Sequence, residues 1–150
     1  MKVRPLDGQD FHSAAARIDD WFEDAGYEAI HPVFFHHFGG YAVEDDDGAL
    51  AGFLIGFRSL RNGDIAYIHV IAIDPARRRQ GIGTELYDRF EKQARVWNCY
   101  TIEAVAEPAN TRAIAFHRQR GFKDRLVEGW GGPGIDRVVL QKSIQPEFRA

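Results

Sequence analysis

Hydrophobic and polar positions change their period several times along the chain, and each change marks an element. "KVRPL" (residues 2–6) reads as a short strand, after which Asp7 and Asp10 are candidate caps for a helix. In that helix Phe11, Ala15, Ile18 and Phe22 recur at helical spacing. After "EDAG" the chain turns, and "HPVFFHHFGG" predicts a short second helix that leaves through Gly39-Gly40. "YAVED" and "ALAGFLIGFRS" predict two strands joined by the turn "DDG" (residues 46–48), and Asn62-Gly63 signals another hairpin. "IAYIHVIAID" is apolar nearly throughout, as expected of a central strand buried on both faces.

A glycine-containing loop comes next, then a helix with Leu86, Phe90, Ala94 and Trp97 on one face. "YTIEAVAE" predicts a strand and "ANTRAIAFHRQRGF" a helix closed by Gly121. "RLVEGW" and "RVVLQKS" predict two last strands, joined by the turn-rich "GGPGID". The order β-α-α-β-β-β-α-β-α-β-β implies an α/β fold. Its mixed sheet has six or seven strands with helices on both faces, antiparallel at first and parallel across the β-α-β crossover. No repeat, linker or low-complexity stretch interrupts it, so residues 1–150 read as a single domain.

Charge and composition narrow the function. The formal net charge of −3 argues against a general nucleic-acid binder, so Arg77, Arg78 and Arg79 are a local basic feature. The single cysteine, Cys99, leaves no internal disulfide and reads as a small buried hydrophobe. "MKVRPLDGQD" lacks the apolar core of a signal peptide. No apolar run approaches the ~20 residues that cross a bilayer. The expectation is a cytoplasmic protein that meets neither membrane nor nucleic acid.

The stretch "DPARRRQGIGTEL" carries the chemistry. A strand, a short loop with glycines and a helix start together hold an anion, because glycines allow close backbone approach and the first helical N–H groups point outward. Arginines at the mouth add charge-assisted hydrogen bonds. The spacing matches neither G-x-x-x-x-G-K-[ST] nor G-x-G-x-x-G, and a solvated basic turn is the plain alternative. "IAIDPARRRQGIGTEL" resembles the acetyl-CoA loop of the GNAT superfamily of N-acetyltransferases, [QR]-x-x-G-x-[GA] after a V-x-P strand end. Here the matching positions are Arg78, Gly81 and Gly83, following Ile73-Asp74-Pro75. "NTRAIAFHRQRGF" looks like the family's second signature, N-x-x-A-x-x-[FL]-Y-x-x-x-G-F, with Asn110, Ala113, Phe116, Gly121 and Phe122 in register.

That resemblance implies the GNAT fold, with its two central parallel strands splayed and acetyl-CoA held between them. Ile71, Ala72 and Ile73 then offer backbone groups to the pantetheine and thioester. Arg79, Gln80, Gly81, Ile82, Gly83 and Thr84 cradle the pyrophosphate, and Arg78 or Arg79 meets the nucleotide phosphates. Asn110 contacts the pantetheine arm or orders its loop. The family's usual tyrosine, which protonates the departing thiolate, is here His117. An imidazolium is a different acid, so His117 either protonates the sulfur or only steadies the site. Alternation places Tyr67, His69, Ile71 and Ile73 on one strand face, which makes His69 a candidate base or water relay for the acceptor amine. Glu103 on the next strand competes for that role. Family members carry such a glutamate closer to the asparagine, where this chain has Val105.

The acceptor end is expected around the helix pair, with Trp21, Tyr27, Phe35, His36, His37 and Phe38, and Trp130 between the last strands is a candidate to close over it. His31, His36 and His37 lack the pattern of a metal site, so no metal is expected, and Asp45, Asp46 and Asp47 read as a solvated turn. The implied activity is direct acetyl transfer from acetyl-CoA to an amine on a small molecule, peptide or protein. A coenzyme-A-binding regulatory module without turnover is the rival reading. Homodimers are common among similar proteins, and the sequence leaves that open.

Overall fold

In the computed structural model, which describes residues 1–21 and 30–148, the strand and helix order is the one read from the pattern. The strands are β1 (Lys2–Pro5), β2 (Gly39–Glu44), β3 (Leu50–Arg58), β4 (Ile65–Ile73), β5 (Thr101–Ala106), β6 (Lys123–Val127) and β7 (Arg137–Ser143). The helices are α1 (Asp10–Trp21), α2 (Pro32–His37), α3 (Ile82–Val96) and α4 (Thr111–Gln119). The strands form one seven-stranded mixed sheet, ordered β1-β2-β3-β4-β5-β7-β6, so the fold is α/β. The chain divides into two compact units, each made of two separate segments.

The first unit comprises Met1–Phe57 and His69–Gln93. Here β1 pairs antiparallel with β2, and β2 antiparallel with β3, with a bulge at Val43/Glu44. Of the predicted stripe on α1, Ile18 is buried and Phe11 packs against the core, while Ala14 takes the place expected of Ala15. Ala14, Ile18 and Trp21 are buried and Ala15 is exposed, and Phe22 lies outside the described residues. Those side chains pack with Phe35, Phe53, Ile55, Val70 and Ala72 into one core. Burying a phenylalanine of the Phe53 kind contributes about 1.5–3 kcal/mol. Buried Asp10 is satisfied by Arg4, at 2.8 and 2.9 Å, and by the Asp7 amide at 2.9 Å, which ties β1 to the start of α1.

The Gly39-Gly40 pair is not a helix exit. α2 ends at Phe38 in an extended conformation, and both glycines are in β2. A Cβ at Gly40 would collide with the Leu54 carbonyl oxygen, so glycine is required there by the close approach of two strands.

The second unit comprises Arg58–Ile68 and Ala94–Ala150. β4 pairs parallel with β5 from Ile65↔Thr101 to Ile68↔Ala104, β5 pairs antiparallel with β7, and β7 with β6. The bend before β4 is tied by Ser59 and Asn62, whose side-chain oxygens accept from the Asn62 and Asp64 amides. Gly63 has no positive φ, so this connection is a side-chain-braced turn and not a tight Asn-Gly turn. Cys99 is fully buried, and burial raises its thiol pKa, which leaves it unreactive.

β4 departs from the expected strand buried on both faces. Ala66, Ile68, Val70 and Ala72 are buried, while Tyr67, His69, Ile71 and Ile73 line a half-exposed face. The alternation that groups Tyr67, His69, Ile71 and Ile73 is present, each of them half-buried.

Candidate active site

The first unit carries the glycine-containing loop. Asp74 ends β4 and starts a single 3-10 turn, Pro75–Arg77, by accepting the Ala76 amide on Oδ1 at 3.0 Å. Arg78 is extended, and Arg79 and Gly81 both enter the left-handed region, with φ of 69° and 80°. Glycine takes that conformation without cost, whereas an arginine there stores roughly 1–2 kcal/mol. The first helical bond of α3 runs from the Glu85 amide to the Gly81 carbonyl, at 3.0 Å. The amides of Ile82, Gly83 and Thr84 precede it and have no acceptor within the helix. Arg78, Arg79, Gln80, Gly81 and Thr84 are exposed, and Ile82 and Gly83 are buried. A Cβ at Gly81 would meet nothing within 4 Å, so the space beside the backbone is open. A helix start whose first amides lack helical acceptors, open space at Gly81 and two exposed guanidinium groups fit the diphosphate of coenzyme A.

Next along the half-exposed face of β4, His69 stacks on Phe34 from α2, with ring centroids 4.3 Å apart and planes 18° from parallel. Phe34 meets Phe38 at 5.1 Å, and Phe38 meets Phe57 at 5.2 Å. This aromatic row runs beside the candidate base, and Phe38 is 43% exposed. Phe34 is absent from the sequence expectation, and its i,i+4 spacing to Phe38 is the signal that points to it.

The other acceptor candidates separate. Trp21 and Phe35 are buried in the core, packed against Phe53. Tyr27 lies outside the described residues. His36 and His37 are exposed, with the His36 ring over Gly8. His31 caps α2 by accepting the Val33 amide on Nδ1, at 3.2 Å. Asp45 is more than a solvated turn residue, since it binds two amides of its own turn and the Arg77 guanidinium.

The second unit carries the second signature. Asn110 caps α4, its Oδ1 accepting the Ala113 amide at 3.2 Å. His117 is buried, with Nδ1 2.7 Å from the Ala113 carbonyl and its ring edge-on to Phe116 and Phe122. A carbonyl only accepts, so Nδ1 carries the proton and Nε2 is the acceptor in the neutral ring. Burial lowers the His117 pKa below 6.5, opposed by the Ala113 carbonyl and aided by the charge of Arg120. Glu103 is half-buried and accepts from Gln141 Nε2 at 2.7 Å. It lies beside Tyr67 in the parallel register, and burial, then the Glu103 charge, push the Tyr67 phenol up. Trp130 sits exposed in the β6–β7 loop, which the Asp136 carboxylate braces by accepting the Gly129 amide at 2.8 Å.

The sequence pattern that defines the Acetyltransferase (GNAT) family matches residues 6–122, which include both halves of this arrangement. The chain belongs to the GNAT acetyltransferase family. It is 30% identical over 116 residues to YxbD, an uncharacterised protein of Bacillus subtilis (strain 168), a match covering 73% of this chain and 62% of that one. It is 28% identical over 87 residues to the L-2,4-diaminobutyric acid acetyltransferase of Nocardia farcinica, covering 55% of this chain and 45% of that one. In both cases the match spans less than two thirds of the relative's length. The crystal structure of the Escherichia coli ribosomal-protein-S18-alanine N-acetyltransferase superposes with a TM-score of 0.73 at 20% identity, covering 99% of this chain and 96% of that one. That likeness extends the GNAT fold to the whole chain.

Proposed function

We propose that this GNAT chain is an acetyl-CoA-dependent N-acetyltransferase that passes the acetyl group directly to a primary amine. The observation that carries the reading is the turn at residues 78–84, where a left-handed arginine and glycine lead into the start of α3 beside open space, and its first amides have no acceptor within the helix. Acetyl-CoA, when bound, supplies an acetyl group activated as a thioester.

The chain's own groups divide the remaining work. Residues 79–84 and Arg78 bind the phosphates, and the backbone of Ile71, Ala72 and Ile73 holds the pantetheine arm as a strand holds its neighbour. An N–H of that segment is a preoriented donor for negative charge growing on a carbonyl oxygen. His69, held flat against Phe34, takes the proton of the acceptor ammonium directly or through a water. Glu103 is the second candidate base, with its carboxylate already held by Gln141. His117, neutral and donating at Nδ1 to its own helix, steadies the site and is not a standing proton source. Asn110 orders the loop before α4.

The Nocardia relative is named for an amino acid and the E. coli enzyme for a protein alanine, so family and fold leave the acceptor open. The aromatic row of half-buried Phe34 and Phe57 with exposed Phe38 favours an acceptor with an apolar group beside its amine. Incubation with acetyl-CoA and a panel of amines, following thiol release, tests the assignment. The panel should include 2,4-diaminobutyrate, a phenylethylamine, spermidine, an aminoglycoside and an alanyl peptide. Release above the rate without protein supports the enzyme. Tight coenzyme binding with no release for any amine supports the rival regulatory module.

A further inference from the structure

We propose that Arg77 is a positioning residue for the coenzyme loop, acting through Asp45 of the β2–β3 turn. The proposal rests on the coenzyme reading of residues 78–84, and all the groups involved belong to the first unit.

Three consecutive arginines look equivalent in sequence, but the structure separates them. Arg78 and Arg79 are exposed, and Arg77 is folded back. Its Nη2 lies 2.5 Å from Asp45 Oδ2, and its Nε lies 3.7 Å from Asp74 Oδ2. Asp74 is held as well: its amide donates to the Ala51 carbonyl at 2.9 Å, and Arg17 Nη1 lies 3.5 Å from Oδ2. Asp45 in turn accepts the Asp47 and Ala49 amides on Oδ1, each at 2.9 Å. Those amides, Ala49 first, together with Arg77 hold its carboxyl below the usual range against a smaller cost of burial. The Arg77 charge is thus matched by two carboxylates, and its side chain joins the loop to a braced turn.

The backbone just past Arg77 explains why the join is needed. Two residues later Arg79 adopts a left-handed backbone, a conformation that persists in a non-glycine residue only where its surroundings over-determine it. Fixing Arg77 fixes the direction from which the chain enters that conformation. The loop is then already shaped before a ligand arrives, so binding need not bear the cost of ordering it.

Simple electrostatics makes the opposite prediction for one variant, and this gives the test its sign. Coenzyme A is a polyanion, so removing a nearby carboxylate should strengthen its binding if charge alone mattered. Positioning predicts weaker binding. The dissociation constant for coenzyme A is measured by calorimetry for the wild type, Arg77→Gln, Asp45→Asn and the double variant. Asn keeps the oxygen that the Asp47 and Ala49 amides need, so the turn survives. Each single variant is expected to weaken coenzyme A about fivefold to tenfold, in line with a lost preorganisation term. The double variant should be no worse than the weaker single one, because both break the same link. In turnover the loss falls on KM for acetyl-CoA, with kcat and the amine KM holding within about twofold. Arg77→Lys should recover part of the affinity, and it carries the test with Asp45→Asn if Arg77→Gln does not fold.

Tighter binding by Asp45→Asn alongside weaker binding by Arg77→Gln would overturn the proposal and make Arg77 a phosphate ligand. Unchanged dissociation constants with a lower melting temperature would reduce the pair to a structural tie. A wild type that binds no coenzyme A brings down the coenzyme reading itself, an outcome distinct from both.

Discussion

Replacing His117 by phenylalanine separates two accounts of how the reaction ends. The flat ring is kept between Phe116 and Phe122, but the bond from Nδ1 to the Ala113 carbonyl is lost. A neutral hydrogen bond of this kind contributes about 1 kcal/mol, so the melting temperature should fall by roughly 2–4 °C for a chain of this size. The catalytic magnitude comes from the depressed pKa. A group titrating at or below 6.5 is at most about 10% protonated at pH 7.5 and about 1% at pH 8.5. If its proton were obligatory, kcat would fall about tenfold per pH unit above that value. We expect instead that kcat, at saturating acetyl-CoA and amine, changes by less than about threefold from pH 7 to 9. His117→Phe should keep that profile while lowering the rate modestly. A wild-type slope of one decade per unit that vanishes in His117→Phe would refute the steadying role. Stability has its own pH signature. Between the lowered folded pKa and 6.5 only the unfolded chain binds the extra proton, so stability drops as pH falls below 6.5, and the phenylalanine variant loses that dependence.

Three other outcomes rest on local geometry. Phe38→Ala, which removes an exposed ring at the end of the aromatic row, should raise KM about threefold to tenfold for a phenylethylamine and leave ethylamine unchanged; equal effects on both amines would remove the row from acceptor binding. Arg79→Gly relieves a left-handed arginine and should raise stability by roughly 1 kcal/mol in denaturant titration while weakening coenzyme A, if the proposed phosphate contact holds. Asp10→Asn should destabilise by about 1–3 kcal/mol at pH 7, because a buried bidentate partner of Arg4 is lost. Burial raises the Asp10 pKa, but bonds from Arg4 and the Asp7 amide outweigh it and hold the value below normal. Its contribution is therefore present above the unfolded carboxyl pKa of ~3.9 and disappears as pH falls through the lower folded value, so the two proteins should converge in acid.

The element order was legible because local rules dictate it. An apolar run bounded by turn signals marks β4, and helical spacing marks α3. The loop was legible for a related reason, since a positive φ at Gly81 and a helix start demand particular residue types at particular places. Side-chain partnerships across long separations were not. Nothing near Arg77 announces Asp45, which lies 32 residues earlier and meets it only once β2 and β3 have formed their turn. Phe34 and His69 stack because α2 lies over the half-exposed face of β4, a matter of helix placement that no periodicity encodes. Gly40 reads in sequence as a helix exit, because a glycine demanded by a neighbouring backbone looks the same there as one demanded by its own φ. The sequence motif placed a histidine at position 117, and only burial and the Ala113 carbonyl define which protonation state it brings.

The division of the chain into Met1–Phe57 with His69–Gln93, and Arg58–Ile68 with Ala94–Ala150, has a consequence for synthesis. Neither unit is continuous in sequence, so neither is finished in the order in which the ribosome releases it. The first must hold the strands of residues 39–57 until His69–Gln93 emerge, at roughly 5–20 residues per second. Arg58–Ile68, made in between, has to wait for β5 before its strand finds a parallel neighbour. Until β5 is made, the parallel edge of β4 has no neighbour, and an unpaired strand edge of that kind invites pairing with another chain.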